Sequence, residues 1–259
     1  MDGTEVTAMA AWPVLGIDLK VGDLDRCLEY YRHLGLKVLS SDPNGAGAEL
    51  GTDDLPFLRL AALEHGRPRP RHMAGLYHFA LLLPSDQDLA SFLKHCTDSG
   101  ISIDGASDHL VSQALYLSDP EGNGIEVYAD RPREQWQWRD GQVRMATLPL
   151  NFGALLSRAQ DSATLPHGTR VGHVHLNVSD LDASQDFYAA MGMRITTTWG
   201  PMRFLSWDGY HHHLGINLLE GQGALPVTPE IYGLEAMRFS HPGTPLGRHQ
   251  DPNGIAVLT

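Results

Sequence analysis

The chain has 259 residues, of which 42% are hydrophobic and 19% charged, and its formal net charge is −12. Enough apolar residues are present for a hydrophobic core, which excludes a chain that is disordered throughout. The acidic balance argues against a general nucleic-acid binder. Apolar runs fall well short of the roughly 20 residues of a membrane helix, and the N-terminus lacks a signal pattern. We therefore expect a soluble, cytoplasmic protein that binds neither nucleic acid nor a membrane.

The chain has 2 cysteines and 14 histidines. Cys27 and Cys96 each lie among apolar residues at helical spacing, which predicts buried thiols and excludes a disulfide framework or a cysteine-rich zinc site. The number of histidines is unusual, and histidine is both a common metal ligand and an acid or base near neutral pH. Candidate chemistry is therefore sought among the histidines.

An internal repeat organises the chain. Residues 15–38 (LGIDLKVGDLDRCLEYYRHLGLKV) match residues 172–195 (GHVHLNVSDLDASQDFYAAMGMRI) at a constant offset. Each copy begins with the alternation typical of a strand that has one buried face, and the first copy continues with the apolar stripe of a helix. The residues expected to cap and stop the two helices are Asp23, Gly35, Asp180 and Gly192.

A second pair of segments repeats as well: 75–84 matches 233–242, and DPEGNGIEV at 119–127 is echoed by DPNGIAV at 251–257. The chain thus contains four units that each open with a strand and a helix and close with further strands, the fourth of them shorter by 28 residues. The predicted organisation is a first domain at 1–130 (units one and two), a connection at 131–168, and a second domain at 169–259 (units three and four).

Four βαβββ units in two tandem pairs resemble the vicinal oxygen chelate superfamily, which includes glyoxalase I, bleomycin-resistance proteins and type I extradiol dioxygenases. The motifs GDLDR, SDLDA and DPEGNGIE carry the resemblance. It implies an α+β fold in which two units form one cup-shaped sheet around a pocket. Two such cups are expected here, one of them containing the abbreviated fourth unit, with metal ligands on the first and last strands of units.

The resemblance allows the ligand positions to be compared unit by unit. The first-strand position of units one to four holds, in order, Gly16, His78, His173 and Ala236, and the last-strand position of units two and four holds Glu126 and Ala256. Pairing of unit one with unit two, and of unit three with unit four, would leave two ligands in one cup and one in the other. Pairing of units two and three brings all three ligands into one cup and leaves units one and four as a ligand-free cup. We therefore predict this crossed pairing.

Glu126 is the most informative of the three candidate ligands. It lies between Ile125 and Val127, where an unpaired buried carboxylate would be costly and coordination to a divalent cation removes that cost. Together with His78 and His173 it would form a 2-His-1-carboxylate triad, which leaves metal positions open for substrate and oxygen. The resemblance implies Fe(II), or less often Mn(II), at this site.

The sequence around Glu126 resembles the type I extradiol pattern, in which a histidine precedes a tyrosine and the tyrosine precedes the ligand glutamate. His109, Tyr116 and Glu126 hold these places, and Ser107 is the one departure from the pattern. The resemblance implies that His109 and Tyr116 are catalytic residues that hydrogen-bond a bound catecholate. The alternative interpretation is a hairpin tyrosine beside a solvated histidine.

Three consecutive histidines, His211, His212 and His213, follow in unit three. The resemblance aligns His212 with a catalytic acid/base histidine, whereas a surface cluster is the alternative interpretation. Strand alternation would place His212 opposite its two neighbours, and the sequence leaves open which face is inward. His175, two residues after His173, and also His213 are expected to line the substrate pocket.

The strings YHFALLLP, ALYLSDPEGNGIEVY and YHHHLGIN look most like those of catechol 2,3-dioxygenase-type enzymes. The expected function is an oxidoreductase of aromatic catabolism that cleaves a catechol-type diol with O2. A glyoxalase-like enzyme would need a last-strand carboxylate, where unit three offers Asn217. A metal-free drug-binding protein would favour an aromatic cleft, but we expect Trp199 and Trp207 to pack in the core.

The shortened fourth unit predicts a homo-oligomer, because a second subunit could cover exposed apolar surface.

Overall fold

A computed structural model describes residues 12–53 and 55–259. The helices are α1 (Leu24–His33), α2 (Asp86–Ser99), α3 (Phe152–Leu156) and α4 (Leu181–Ala190), with a short 3-10 helix at Arg133–Gln135. The strands of the first half are β1 (Val14–Val21), β2 (Lys37–Ser41), β3 (Gly47–Thr52), β4 (Leu55–Ala62), β5 (Gly75–Leu83), β6 (Gly105–Asp108), β7 (Ser112–Ser118) and β8 (Gly124–Asp130). They are followed by β9 (Trp138–Arg139), β10 (Gln142–Val143), β11 (Arg170–Asn177), β12 (Arg194–Trp199), β13 (Met202–Ser206), β14 (Leu214–Asn217), β15 (Gly233–Phe239), β16 (Arg248–Gln250) and β17 (Ala256–Leu258).

The helices begin where the sequence predicts. The Asp23 side chain accepts a hydrogen bond from the Arg26 amide at the start of α1, and Asp180 accepts one from the Ala183 amide at the start of α4. These caps satisfy amide groups that the first turn of a helix leaves unpaired. Cys27 of α1 and Cys96 of α2 are fully buried free thiols, as expected. Within the described residues, every helix is too short or too polar to cross a membrane.

Two large sheets form the predicted pair of cups. The first cup is the eight-stranded sheet β12-β13-β14-β11-β5-β8-β7-β6, and the second cup is the seven-stranded sheet β16-β17-β15-β1-β4-β3-β2. Strand β5 of unit two pairs antiparallel with β11 of unit three, and β1 of unit one pairs antiparallel with β15 of unit four. The crossed pairing of the units is therefore confirmed.

The fourth unit is abbreviated as predicted, because β15 leads to β16 and β17 with no intervening helix in the described chain. The connection at 131–168 is more ordered than its sequence suggests. It contains the β9–β10 hairpin and α3, and Leu148 exchanges two backbone hydrogen bonds with Asp108 on the edge strand β6. This segment therefore runs along the rim of the first cup.

Two equivalent hydrogen bonds tie the cups together. The Tyr31 hydroxyl of unit one donates to Asp119 of unit two at 2.9 Å, and the Tyr188 hydroxyl of unit three donates to Asp251 of unit four at the same distance. Both tyrosines are fully buried. Each bond joins the two units of one predicted domain, whereas each sheet joins one unit from each domain, so the two kinds of contact link all four units.

Replacing Tyr31 or Tyr188 with phenylalanine should lower the free energy of unfolding by about 1.5–3 kcal/mol, the range for a hydrogen bond to a charged group. Urea unfolding measures the change. Tyr30→Phe is the matched control, because the neighbouring Tyr30 hydroxyl is buried without a hydrogen-bond partner in the described chain. Equal losses of stability in Tyr30→Phe and Tyr31→Phe would contradict the role of the Tyr31–Asp119 bond.

Candidate metal centre

Ala80 of β5 lies at the centre of the first cup. It pairs with His173 of β11 on one side and with Glu126 of β8 on the other. His78 is two residues earlier on β5 and therefore shares the face of Ala80. Because alanine ends at its methyl group, the three larger side chains can meet above it.

His78, Glu126 and His173 converge as a buried cluster in which one potential ligand atom from each lies within 4.8 Å of the others. Glu126 Oε2 is 3.0 Å from His78 Nε2 and 3.3 Å from His173 Nε2. The sequence-predicted ligands are thus adjacent in the structure although they come from three strands.

The charges of this cluster suit a divalent cation. Burial favours a neutral Glu126, but the nearby imidazoles, His173 above all, hold its pKa well below the ordinary carboxyl value. Burial lowers the pKa of His173 to about 4, so its imidazole is neutral at pH 7. His78 Nε2 is buried and makes no hydrogen bond within the described chain. An anionic carboxylate and neutral imidazoles are the donors that Fe(II) or Mn(II) accepts in a 2-His-1-carboxylate site, so the residues fit such a metal.

A cavity of about 290 Å³ opens above the cluster. Its polar wall includes His175 and His212, together with Tyr116, His109 and Glu126. Its apolar wall and rim are formed by Met145, Trp199, Met202, Phe204 and Leu219. The cavity thus has a polar floor and an apolar mouth, which is the usual arrangement of a small-molecule site.

Tyr116 and His109 form a hydrogen-bonded pair in this wall. His109 Nδ1–H donates to the Ala146 carbonyl at 2.7 Å, and His109 Nε2 lies 2.5 Å from the Tyr116 hydroxyl. Burial, reinforced by the charge of Glu126, raises the pKa of Tyr116 well above its ordinary value. Tyr116 therefore faces the cavity as a neutral phenol held by His109.

The three consecutive histidines are all buried, but they have different surroundings. His212 faces the cavity, and burial lowers its pKa well below the ordinary value. His211 lies behind it and contacts Asp130 at 3.0 Å. His213 was expected in the pocket but does not line the cavity. It packs against Trp12 instead, and its Nδ1 lies 3.1 Å from the Ser206 hydroxyl. His175 lies in the pocket wall as expected, directly opposite His78 in the β5–β11 ladder.

Several pocket residues were not predicted from the sequence. Met145 and Thr147 come from the connection, and Trp199 lines the mouth and is 40% exposed rather than packed in the core. Trp207 does pack internally, and its indole N–H donates to the Met191 carbonyl. The connection shows no periodicity, so only its return to the edge of the first cup reveals its role.

The second cup has an arginine where the first has its candidate metal. In the ladder between β1 and β15, Gly16 pairs with Arg238 as His173 pairs with Ala80. A Cβ atom on Gly16 would lie 2.8 Å from the Arg238 guanidinium, and Asp18 Oδ1 lies 3.2 Å from its Nε. The guanidinium therefore fills the space above Gly16, and the described chain has a single candidate metal cluster.

Glu126→Gln should reduce metal affinity by more than the roughly 10- to 100-fold that loss of an outer-shell partner costs. The amide keeps the size of the side chain but lacks the negative charge. Metal content after anaerobic reconstitution with Fe(II), measured by mass spectrometry, checks this expectation. Glu134→Gln, at an exposed position, is the control. Equal metal content in both variants would contradict the assignment of Glu126.

Ala80→Leu should abolish metal binding without altering a ligand, because the larger side chain would fill the space between His173 and Glu126. Overpacking of this kind costs about 1–3 kcal/mol of stability, so the fold should survive. Metal content and thermal unfolding are measured together, with Ala80→Gly as the control that keeps the space open. Full metal occupancy in Ala80→Leu would place the ion elsewhere.

Comparisons with known proteins agree with this architecture. Residues 14–127 match the family model of the glyoxalase/bleomycin resistance protein/dioxygenase superfamily. The chain is 41% identical over 228 residues to catechol-2,3-dioxygenase of Bacillus subtilis (strain 168), an alignment that covers 84% of this chain and 78% of that protein.

Two solved structures share the fold at low sequence identity. Glyoxalase I from Zea mays has a TM-score of 0.55 and 18% identity over 94% of this chain and 90% of its own. The cppA protein from Streptococcus pneumoniae TIGR4 has a TM-score of 0.56 and 13% identity over 95% of this chain and 97% of its own. With its paired cups and its 41%-identical relative, the chain belongs to the glyoxalase/bleomycin resistance/dioxygenase superfamily.

Proposed function

We propose that this protein is an extradiol dioxygenase that opens the ring of a catechol-type diol with O2, beside the hydroxyl groups. The observation that carries the proposal is the convergence of His78, Glu126 and His173 beside a cavity whose wall includes two of them, together with His212 and Tyr116. The 41%-identical catechol-2,3-dioxygenase supports it. The product would be a 2-hydroxymuconic semialdehyde.

The three ligands would hold Fe(II), with Mn(II) as the alternative. When bound, the metal supplies the redox chemistry with O2 and, as a cation, favours the anionic form of the diol oxygens. The remaining work belongs to side chains that bind the diol, move its protons and exclude water.

His212 is the acid/base group of the proposal. Its Nδ1 contacts His211 at 2.7 Å, which leaves Nε2 for the cavity. A neutral imidazole at this position can accept a proton from a diol hydroxyl and return it as the ring opens. Tyr116, held by His109, would hydrogen-bond the bound diol and orient it over the three ligands.

The apolar mouth excludes water from these steps. Phe204 packs edge-on against both His175 and His212, and Trp199 and Met202 extend the apolar wall outward. Exclusion of water lowers the local dielectric and strengthens the hydrogen bonds to the diol oxygens.

The glyoxalase-like alternative needs a carboxylate from the last strand of unit three. That strand is β14, whose four residues are Leu214, Gly215, Ile216 and Asn217. Within the described part of the cavity wall, Glu126 is the one carboxylate. The donor set therefore favours the dioxygenase over the glyoxalase-like enzyme.

Fe(II)-loaded protein should consume O2 and turn catechol into a yellow ring-opened product in a 1:1 ratio, near neutral pH. His212→Phe should lower kcat by about 10²- to 10⁴-fold, the contribution of general acid–base catalysis, while metal content stays unchanged. An oxygen electrode and absorbance measure the two quantities. His167→Phe, at an exposed histidine, is the control.

Two results would overturn the proposal. Protein that takes up no iron or manganese after reconstitution would be a metal-free binding protein of this fold. Metal-loaded protein that consumes no O2 with catechol or alkylcatechols would be a metalloprotein with another activity.

A further inference from the structure

Asp130 lies at the end of β8, on the same face of the strand as Glu126. Residues 126, 128 and 130 share one face of the strand, whereas Ile125, Val127 and Ala129 pack in the hydrophobic core on the other face, so Asp130 lies on the face that carries Glu126. It is not a metal ligand, since it lies outside the cluster formed by His78, Glu126 and His173. Its partner is His211, whose Nε2 lies 3.0 Å from Asp130 Oδ1.

A chain of hydrogen bonds runs from this carboxylate to the cavity. His211 contacts Asp130 through Nε2 and His212 through Nδ1, and the two Nδ1 atoms are 2.7 Å apart. His212 then presents its other nitrogen to the cavity. Three residues therefore connect the wall of the cup with the position where the diol is expected to bind.

The direction of each hydrogen bond follows from the chemistry of the groups. An ionised carboxylate can only accept, so His211 Nε2 carries a proton and donates to Asp130. In neutral His211, Nδ1 is then bare and can only accept. His212 Nδ1 must therefore carry the proton that joins the two rings, and His212 Nε2 is left as a lone pair.

His211 is deeply buried and held in place by its neighbours. Its side chain is 1% exposed, and its ring centroid lies 6.1 Å from that of the candidate ligand His173. The ring is also held in orientation by Tyr210 and Trp136, whose centroids lie 4.0 and 5.2 Å away.

We propose that Asp130, acting through His211, is a positioning residue that fixes His212 in the tautomer with a proton on Nδ1 and a bare Nε2 facing the diol. The inference rests on the proposed function for its catalytic meaning. A base must offer a lone pair to the proton that it abstracts, and only this tautomer does so. In the opposite tautomer, His212 would present an N–H to the diol and could not accept its proton.

The far side of Asp130 opens to solvent. Its side chain is 24% exposed in a cleft of about 750 Å³ that is separate from the cavity and is also lined by Arg131, Arg133 and Arg158. This partly exposed position leaves the carboxylate open to the solvent of that cleft, while its Oδ1 stays bonded to His211. Asp130, at one end of the hydrogen-bonded series, is therefore partly exposed to solvent, whereas His212, at the other end, is buried.

Asp130→Asn tests the proposal because the amide is isosteric but can donate as well as accept. An amide N–H directed at His211 Nε2 would reverse both hydrogen bonds and move the proton of His212 to Nε2. Two-dimensional ¹H–¹⁵N spectra of ¹⁵N-histidine-labelled protein distinguish the two tautomers. They are recorded for the metal-free protein and after addition of Zn²⁺, a diamagnetic ion, with His212 assigned by His212→Phe.

We expect the Nδ1–H form of His212 in the native protein and a substantial Nε2–H population in Asp130→Asn and in His211→Phe. Asp208→Asn, which alters another carboxylate of the same cleft, should leave the spectrum of His212 unchanged. A native protein with the Nε2–H form, or no change in either Asp130→Asn or His211→Phe, would overturn the proposal. Because this measurement needs no turnover, it decides the tautomer even if the dioxygenase activity is absent.

The kinetic arm uses Fe(II)-loaded protein and catechol. Asp130→Asn should lower kcat at least about tenfold, and at most by the roughly 10⁴-fold seen when asparagine replaces the aspartate of a serine-protease triad. KM and metal content should change little, and Asp130→Glu, which can only accept, should recover part of kcat. A rise in KM with unchanged kcat, or equal losses in Asp130→Asn and Asp130→Glu, would indicate a merely structural role and overturn the proposal.

Discussion

The antiparallel pairing of β5 with β11 is the contact on which the site depends. It joins segments that are far apart in the chain and places His173 beside Ala80, whose other neighbour is Glu126. A shift of one residue in this ladder would turn His173 to the opposite face, since side chains alternate along a strand. The hydrogen bonds of the sheet thus determine whether the three candidate ligands meet at all.

The burial of so many ionisable groups constrains the centre further. Five imidazoles, those of His78, His173, His175, His211 and His212, lie within one buried region with the buried carboxylate of Glu126, and the partly exposed Asp130 contacts its edge through His211. Desolvation keeps His173, His175 and His212 neutral, as their lowered pKa values indicate. The interior therefore offers lone pairs and the negative charge of Glu126 rather than positive charge, which is the condition for holding a cation there.

Much of this arrangement could be predicted from the sequence, because the repeat exposed which units carry ligands. The crossed pairing could be predicted because units one and four have Gly16 and Ala236 at the positions where units two and three have the candidate ligands His78 and His173. The prediction for His213 failed because residues 211–213 precede β14 and form a bend, so strand alternation does not apply to them. The contributions of Met145 and Asp130 depend on contacts between distant segments, which no local pattern reveals.

Arg238 makes the second cup differ from the first in the origin of the positive charge at its centre. Its guanidinium is covalently part of the chain, sits against Asp18 and takes the space that a ligand at Gly16 would need. Chelation could remove the proposed metal ion from the first cup, whereas the guanidinium of the second cup cannot be lost. The second cup thus carries its central cation from synthesis, whereas the first would have to acquire its proposed metal afterwards.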